Sequence, residues 1–164
     1  MLAASAGAGQ ASAAEARAGV AGQTGAGVGA QPAAEARYDL GRDERRGGHT
    51  LARHIGRTDE ELRARLVRES NVSAVFTYTD LPTAERVVAQ TLARNRERVR
   101  AWLDRSGSRP NLALDYRGPR TVPIGRSLRR GARSAVVCVD AVVVLRWDQR
   151  RAFYVLTSYP EAAR

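Results

Sequence analysis

Apolar residues recur with two different periods along this chain, and the period changes near residue 111. Before that point they recur every three to four positions, as on the buried face of a helix. After it they recur every second position or form continuous runs, which is typical of strands. Helices followed by strands predict an α+β domain with an antiparallel sheet.

Two helices are predicted in the first half. Residues 58–61 (TDEE) have the form of a capping box, so the first helix runs from there to about Glu69. Residues 71–79 are predicted to be a short extended or loop segment. The second helix covers roughly residues 82–105, is capped by Asp80 or the threonine before it, and carries a proline in its first turn. Its apolar stripe consists of Ala84, Val88, Thr91, Leu92, Val99, Trp102 and Leu103.

The second half contains the predicted strands. Apolar residues alternate in residues 112–116, and a short piece follows at residues 122–124. Residues 135–147 are rich in valine and predict one long strand, and residues 152–159 predict another. The four polar residues 148–151 between them predict a hairpin turn.

The first part of the chain differs in composition from the rest. Residues 1–37 are mostly alanine and glycine and contain few large apolar residues, so they are predicted to be a disordered linker. Residues 38–164 form the predicted domain. Such a segment is typical of a linker between a domain and an upstream part of the same protein, so we expect this chain to be a C-terminal piece of a longer protein.

All 27 basic residues are arginine, and against 17 acidic residues they give a net charge of +10. Residues 1–37 are neutral, so the whole surplus lies in the predicted domain. Such a surplus favours a polyanionic partner, and arginine can grip a phosphate with two hydrogen bonds. The alternative is that genome composition selects arginine over lysine and that the charge only maintains solubility. That alternative explains the excess over acidic residues less well.

Cysteine and histidine are rare. Cys138 is the single cysteine, which excludes an internal disulfide, and it lies in an apolar run as a predicted buried hydrophobe. Two histidines and one remote cysteine form no zinc-type ligand set, so we predict neither a metal nor a cofactor. The longest apolar runs are far below the roughly 20 residues of a membrane span. The N-terminus lacks the basic start and leucine-rich stretch of a secretory signal.

His49 and His54, both near the entrance of the first predicted helix, are the candidate acid–base residues. Histidine is the side chain whose unperturbed pKa lies near neutral pH. We place His54 in a turn that Gly56 permits and His49 beside a flexible pair of glycines. The alternative for each histidine is a surface or capping residue that hydrogen-bonds to the backbone.

The last predicted strand supplies two hydroxyl groups. Alternation sets Thr157 and Tyr159 on one face, together with Phe153 and Val155. The alternative for these residues is ordinary packing. Cleavage of RNA needs a base for the 2′-hydroxyl, a cation for the phosphorane-like transition state and a donor for the leaving oxygen. Histidine, arginine, tyrosine and threonine suffice for it, because the nucleophile belongs to the substrate.

Five sequence blocks span about residues 46–161 with their order and spacing preserved. They are GGHTLARHIGRTDEELRARL, TYTDLPTAERVVAQTL, LALDY, VPIGRSLRRG, and VVVLRWD followed by FYVLTSYP. Together they resemble the bacterial RNase A-like toxin domain found at the C-terminus of contact-dependent inhibition and other polymorphic toxins. The resemblance implies an RNase A-like fold without disulfides, in which N-terminal helices pack on a curved antiparallel sheet.

The resemblance also implies roles for four residues. The family histidine of H-[IV]-G-[KR]-[TS] falls on His54, as general base or acid, and the arginine of E-L-x-x-R-L falls on Arg65, as a phosphate clamp. The closing T-x-Y-P motif places a positioning hydroxyl at Thr157 and a donor at Tyr159. The second acid is left open between Tyr159, His49 and water. Two further arginines within the blocks are predicted substrate-binding residues, namely Arg57 and Arg126.

The implied function is a metal-independent endoribonuclease toxin that leaves a 2′,3′-cyclic phosphate and a 5′-hydroxyl end. RNA and a cognate, acidic immunity protein are the expected partners of a monomer, delivered within a larger secreted effector and acting in the target-cell cytoplasm. Two alternatives remain. One is a non-catalytic, arginine-rich nucleic-acid-binding module, and the other is a metal-dependent DNase toxin, which the missing ligand cluster disfavours.

Overall fold

The structure is a computed structural model that describes residues 37–148 and 152–162. Within these residues the helices are α1 (Leu40–Glu44), α2 (Thr50–His54), α3 (Asp59–Arg68), α4 (Leu81–Arg94) and α5 (Arg96–Leu103). The strands are β1 (Ala74–Tyr78), β2 (Leu112–Tyr116), β3 (Gly125–Arg129), β4 (Val136–Cys138), β5 (Asp140–Asp148) and β6 (Ala152–Glu161). The predicted linker, residues 1–37, lies outside the described residues except for Arg37, and so does most of the predicted hairpin turn.

The α+β prediction is confirmed, and the described strands are divided between two three-stranded antiparallel sheets. Sheet A has the order β1-β3-β4 and sheet B the order β2-β5-β6. The two sheets meet where β6 packs against β1 and β3. The resemblance implied one curved sheet, whereas the described strands form two separate sheets.

The prediction of one strand over residues 135–147 was wrong. The chain leaves sheet A after Cys138 and enters sheet B at Asp140, so that β4 pairs with β3 and β5 pairs with β2 and β6. The Asp140 carboxylate, which is buried, accepts hydrogen bonds from the Arg117 side chain at 2.8 Å and the Gly118 N–H at 3.2 Å. These bonds hold the start of β5 beside the end of β2, which a valine-rich pattern does not reveal.

The prediction of one helix over residues 82–105 was also wrong, because the helix is interrupted at Asn95. This residue has φ −110° and ψ 22°, and its side-chain amide donates to the Thr91 carbonyl at 2.9 Å. The Thr91 hydroxyl in turn donates to the Val87 carbonyl at 2.7 Å. Side chains that bond to nearby backbone carbonyls in this way bend or interrupt a helix.

The predicted caps are confirmed. Thr58 and Glu61 form a reciprocal capping box at the start of α3, and Asp80 caps α4. Helices α1 and α2, of five residues each, were not predicted, since one helical turn is too short to show a period. The carboxylate of Glu44 accepts hydrogen bonds from the first N–H groups of α2, on Leu51 and Ala52.

Two clusters of buried side chains hold the fold together. The larger joins α4 and α5 to sheet B and includes the completely buried Tyr78, Leu114 and Val143. The smaller lies between α3 and sheet A. Cys138 is a free, buried thiol, as predicted. Among the described residues, we find no helix with the length and apolar character that a membrane crossing requires.

Candidate active site

The N-terminal segment docks along the outer edge of β6, which is the edge strand of sheet B. The Val155 N–H donates to the Asp43 carboxylate at 2.6 Å, and the Ser158 N–H donates to the Thr50 hydroxyl at 2.9 Å. Between these bonds the His49 N–H donates to the Leu156 carbonyl at 2.9 Å. Since Asp43 and Thr50 are both buried, these bonds fix α2 firmly against the strand that carries the predicted hydroxyl residues.

His54 is the last residue of α2 and is only 6% exposed. It therefore lies in a helix and not in the turn that was predicted, and the turn follows at Gly56, whose φ is +61°. Its Nδ1 lies 3.1 Å from the carbonyl oxygen of Phe76. Because a carbonyl can only accept a hydrogen bond, Nδ1 carries the proton of the neutral ring. The lone pair is then on Nε2, which is the atom available as a base.

Burial lowers the pKa of His54 from its usual 6.5 to about 4. The hydrogen bond to Phe76 opposes this shift, whereas the positive charge of Arg65 adds to it. At neutral pH the imidazole is therefore uncharged, as a general base must be before the reaction. A substrate phosphate beside Arg65 would oppose the depression of the pKa by adding negative charge.

The ring of Tyr159 contacts both His54 and Phe76. Its centroid lies 5.7 Å from that of the imidazole, with the planes tilted by 42°, and 5.1 Å from that of the Phe76 ring. Strand β6 and helix α2 therefore bring a phenol and an imidazole together beside β1, at the junction of the two sheets. We call the set His54, Arg65, Phe76, Thr157 and Tyr159 the His54 site.

A β-bulge in β6 decides which way Thr157 and Tyr159 point. Val144 pairs with Thr157 and Leu145 pairs with Val155, so Leu156 is the extra residue. Val155 lies in the main core, and Ser158, three residues later, hydrogen-bonds to the core residue Tyr78. The bulge thus shifts the alternation. Thr157 and Tyr159 do share a face, but the prediction that they share it with Val155 was wrong.

The hydroxyl of Thr157 is a buried polar atom with no hydrogen-bond partner among the described residues. Buried hydroxyl groups in folded proteins usually have a partner. A hydroxyl left unpaired beside Tyr159 is available to a bound ligand.

Arg65 lies on α3 with its side chain 16% exposed. Its Nε donates to Glu69 at 3.1 Å, and one terminal nitrogen donates to the Arg53 carbonyl at 3.4 Å. Its charge lowers the pKa of both His54 and His49, so it lies close to both imidazoles. A groove of about 330 Å³ runs beside it and is also lined by Arg53 and Arg68. The guanidinium is thus held in place at the edge of the His54 site.

His49 is the half-buried residue that precedes α2, and its side chain does not cap that helix. Burial, together with the positive charge of Arg53, lowers its pKa. His49 is close enough to lower the pKa of His54. At neutral pH this shift favours the uncharged imidazole.

The two remaining predicted residues are Arg57 and Arg126. Arg126 on β3 pairs with Thr77, which points away from the face of β1 that carries Phe76, and it forms an ion pair with Asp59 at 2.7 Å. Arg57 donates to the Ala52 carbonyl and forms an ion pair with Glu61 at 3.3 Å. Arg57 nevertheless lines the same groove as Arg65, at the edge of the His54 site, whereas Arg126 does not line that groove.

Sequence reasoning missed Phe76 and Arg53. Phe76 contributes its carbonyl to His54 and its ring to Tyr159, and Arg53 is an exposed cation near both histidines. A backbone carbonyl leaves no signal in a sequence. Arg53 does have one, since it directly precedes His54 in the chain. Within residues 37–148 and 152–162, no three His, Cys, Asp or Glu side chains lie close enough together to hold a metal ion.

An α+β fold that brings an imidazole, a guanidinium and a phenol to a sheet junction agrees with the arrangement that the resemblance to RNase A-like toxin domains implied. Comparison with known families supports this assignment, because the family model of the Bacterial CdiA-CT RNAse A domain matches residues 48–160. The chain therefore belongs to this family of RNase A-like toxin domains of contact-dependent inhibition.

A solved structure supports the same assignment. The chain is similar to one in the crystal structure of a CdiA-CT/CdiI complex from Y. kristensenii 33638, with 32% sequence identity and a TM-score of 0.61. The alignment covers 70% of this chain and 99% of that one. A comparison with curated proteins found no match.

Proposed function

We propose that this domain is a metal-independent endoribonuclease toxin that cleaves RNA through the 2′-hydroxyl of its substrate. The observation that carries the proposal is the uncharged imidazole of His54, whose Nδ1 is held by the Phe76 carbonyl while its ring contacts Tyr159. Family membership supports a toxin nuclease, and the geometry supports this particular chemistry.

In the proposed reaction, Nε2 of His54 accepts the proton of the 2′-hydroxyl. The 2′-oxygen forms a bond to phosphorus, and the bond from phosphorus to the 5′-oxygen breaks. A proton donor protonates the departing 5′-oxygen, so the products are a 2′,3′-cyclic phosphate and a 5′-hydroxyl end. No metal is needed, since the substrate supplies the nucleophile and the charge develops on phosphate oxygens that an arginine can stabilise.

Tyr159 is the proton donor that the geometry favours. A phenol carries a proton to give, and this one contacts the ring of the proposed base. His49 is the weaker candidate, because the direction of its pKa shift favours the form without a proton to donate. Water remains the third possibility and predicts that neither residue is essential.

Arg65 is the proposed clamp on the reacting phosphate, and the unpaired hydroxyl of Thr157 is the proposed contact that positions the substrate. Arg57 and Arg126 stay predicted substrate-binding residues. Arg57 lines the groove beside Arg65, and RNA would have to extend beyond that groove to reach Arg126. Arg65 is also paired with a carboxylate, and it is preferred because its charge lowers the pKa of both histidines.

The wider biology follows from the same assignment. The matched chain comes from a CdiA-CT/CdiI complex, and we propose that the present domain likewise has a cognate immunity protein that covers its site. We further propose that residues 1–37 join the domain to a larger delivered effector. The domain itself is proposed to act as a monomer in the target-cell cytoplasm.

The experiment is incubation of the purified protein with total RNA in EDTA, beside His54→Ala. The wild type is expected to cleave and the variant to lose at least a hundredfold in rate, since general base catalysis contributes roughly 10²–10⁴. His49→Ala tests the second histidine and should retain most of the activity if Tyr159 is the proton donor.

Other outcomes distinguish the remaining candidates. Equal cleavage by wild type and His54→Ala would remove His54 from the chemistry. RNA binding without cleavage by the wild type would favour the non-catalytic binding module. Cleavage of DNA that EDTA abolishes would favour the metal-dependent DNase.

A further inference from the structure

A second concentration of positive charge lies on α5 and the residues that follow it. Between Arg94 and Arg109 the chain has six arginines and two acidic residues, so these sixteen positions have a net charge of +4. Helix α5 packs on α4 and on the main core through Val99 and Trp102. The His54 site is instead built from α2, α3, β1 and β6, so the two regions belong to different parts of the fold.

The arginines of α5 are not neutralised. Arg96, Arg98 and Arg100 are exposed and make no ion pair or side-chain hydrogen bond with any described residue. By contrast, Arg65 and Arg126 are both in ion pairs with carboxylates. The charge on α5 is therefore available to an external anion.

A groove of about 530 Å³ runs along this helix, and we call it the α5 groove. It is lined by Arg96, Val99, Arg100, Leu103, Asp104 and Arg109. The guanidinium of Arg109 lies over the ring of Trp147, 4.3 Å from its centroid. An arginine stacked on an indole is held rigidly, and its position at the groove is thereby fixed.

Two buried N–H groups beside the groove have no acceptor among the described residues. They are Nε of Arg109 and Nε1 of Trp147. Both atoms are covered by the surrounding protein. The unpaired cations that line the groove, Arg96 and Arg100, indicate as its ligand an anion that presents acceptor oxygens.

We propose that the α5 groove is a second RNA-binding site, which holds the phosphate backbone of the substrate strand away from the His54 site. This proposal rests on RNA being the substrate. Proteins that bind single-stranded RNA without sequence preference use a positively charged groove that follows the phosphate backbone, and the exposed Arg96 and Arg100 line such a groove here. A concave groove fits a strand better than it fits a flat membrane surface.

The test measures the affinity of the His54→Ala protein for a single-stranded RNA of 20 nucleotides. Adding Arg96→Gln and Arg100→Gln is expected to weaken binding roughly tenfold and to reduce the slope of log K against log salt by about 1.4, for two phosphate contacts on a single strand. The matched control, called the sheet A variant, adds Arg129→Gln and Arg133→Gln, which remove the same charge from exposed positions on β3 and on the connection from β3 to β4. It should change the affinity less than twofold.

Restoration of the charge provides a further readout. Arg96→Lys with Arg100→Lys should recover most of the affinity, because phosphate contacts depend chiefly on charge. Equal losses in the α5 and sheet A variants would overturn the proposal, since net charge alone would then explain binding. An α5 variant that keeps its RNA affinity but loses affinity for phosphatidylglycerol–phosphatidylcholine vesicles would also overturn it.

The outcome separates this proposal from the proposed function. If the wild type cleaves no RNA, the ribonuclease assignment fails, yet the binding measurement still decides whether the α5 groove holds a strand. If cleavage is normal and the α5 variant binds as the control does, only the second site fails.

Discussion

The His54 site and the α5 groove both present arginine, but they hold it differently. Arg65 is mostly buried and bonded to Glu69 and to a backbone carbonyl, so its guanidinium has one position. Arg96 and Arg100 are exposed and unpaired, so their side chains are free to follow a ligand. A rigid cation can stabilise charge as it develops at one atom, whereas mobile cations can only gather charge along a strand. Together the two proposals assign the cleavage chemistry to the rigid arginine and the capture of the strand to the mobile ones, in different parts of the domain.

The largest effect is expected at the rigid arginine. Arg65→Gln should lower kcat/KM for a dinucleoside monophosphate by about a thousandfold, the upper end for loss of a fixed electrostatic contact. Its matched control is Arg63→Gln, a more exposed position on the same helix, which should change the rate less than threefold. The two rates are measured by release of the cyclic phosphate. Similar losses in both variants would mean that Arg65 acts through general charge, and the contrast between rigid and mobile arginines would disappear.

The second effect concerns Tyr159, the proposed proton donor of the His54 site. Tyr159→Phe keeps the ring contact with His54 but removes the hydroxyl, so kcat should fall about a hundredfold while KM stays within a few fold. Thr157→Val removes the neighbouring hydroxyl and should raise KM more than it lowers kcat. Activity unchanged in Tyr159→Phe would leave His49 or water as the donor.

The smallest effect is on stability and again separates the two regions. The folded-state pKa of His54, about 4, lies below its usual 6.5, so the unfolded chain binds more protons between these values. The free energy of unfolding should therefore decrease as the pH falls from about 6.5 towards 4, by up to about 1.4 kcal/mol per pH unit. Urea unfolding at pH 7, 6 and 5 measures this slope.

His54→Gln should reduce the dependence of the free energy of unfolding on pH. The carboxylates contribute equally to this dependence in both proteins. RNA affinity at the α5 groove should stay constant over the same range, since arginine remains charged. A slope that persists in His54→Gln would assign the acid sensitivity to another group.

Local signals along the chain were sufficient for several elements. The capping box at Thr58 and the cap at Asp80 depend on side chains three residues from their partners, so a sequence shows both halves of each contact. Alternation predicted β2 and β6 because one face of each strand is buried. The family resemblance, carried by short motifs, led to the four residues proposed for the chemistry, and the structure places three of them, His54, Thr157 and Tyr159, along α2 and β6.

What the sequence determined by itself was therefore the class of fold, the caps, the charge and the residue types of the site. Three features were decided only by the tertiary structure. The hydrogen bonds of Asp140 hold the start of β5 in sheet B, and the bulge at Leu156 sets the direction of Thr157 and Tyr159. The Phe76 carbonyl fixes the tautomer of His54. These features depend on contacts between residues far apart in the chain, or on backbone groups that every residue carries. A pattern of side chains records neither, and that is why the geometry of the site could not be predicted from it.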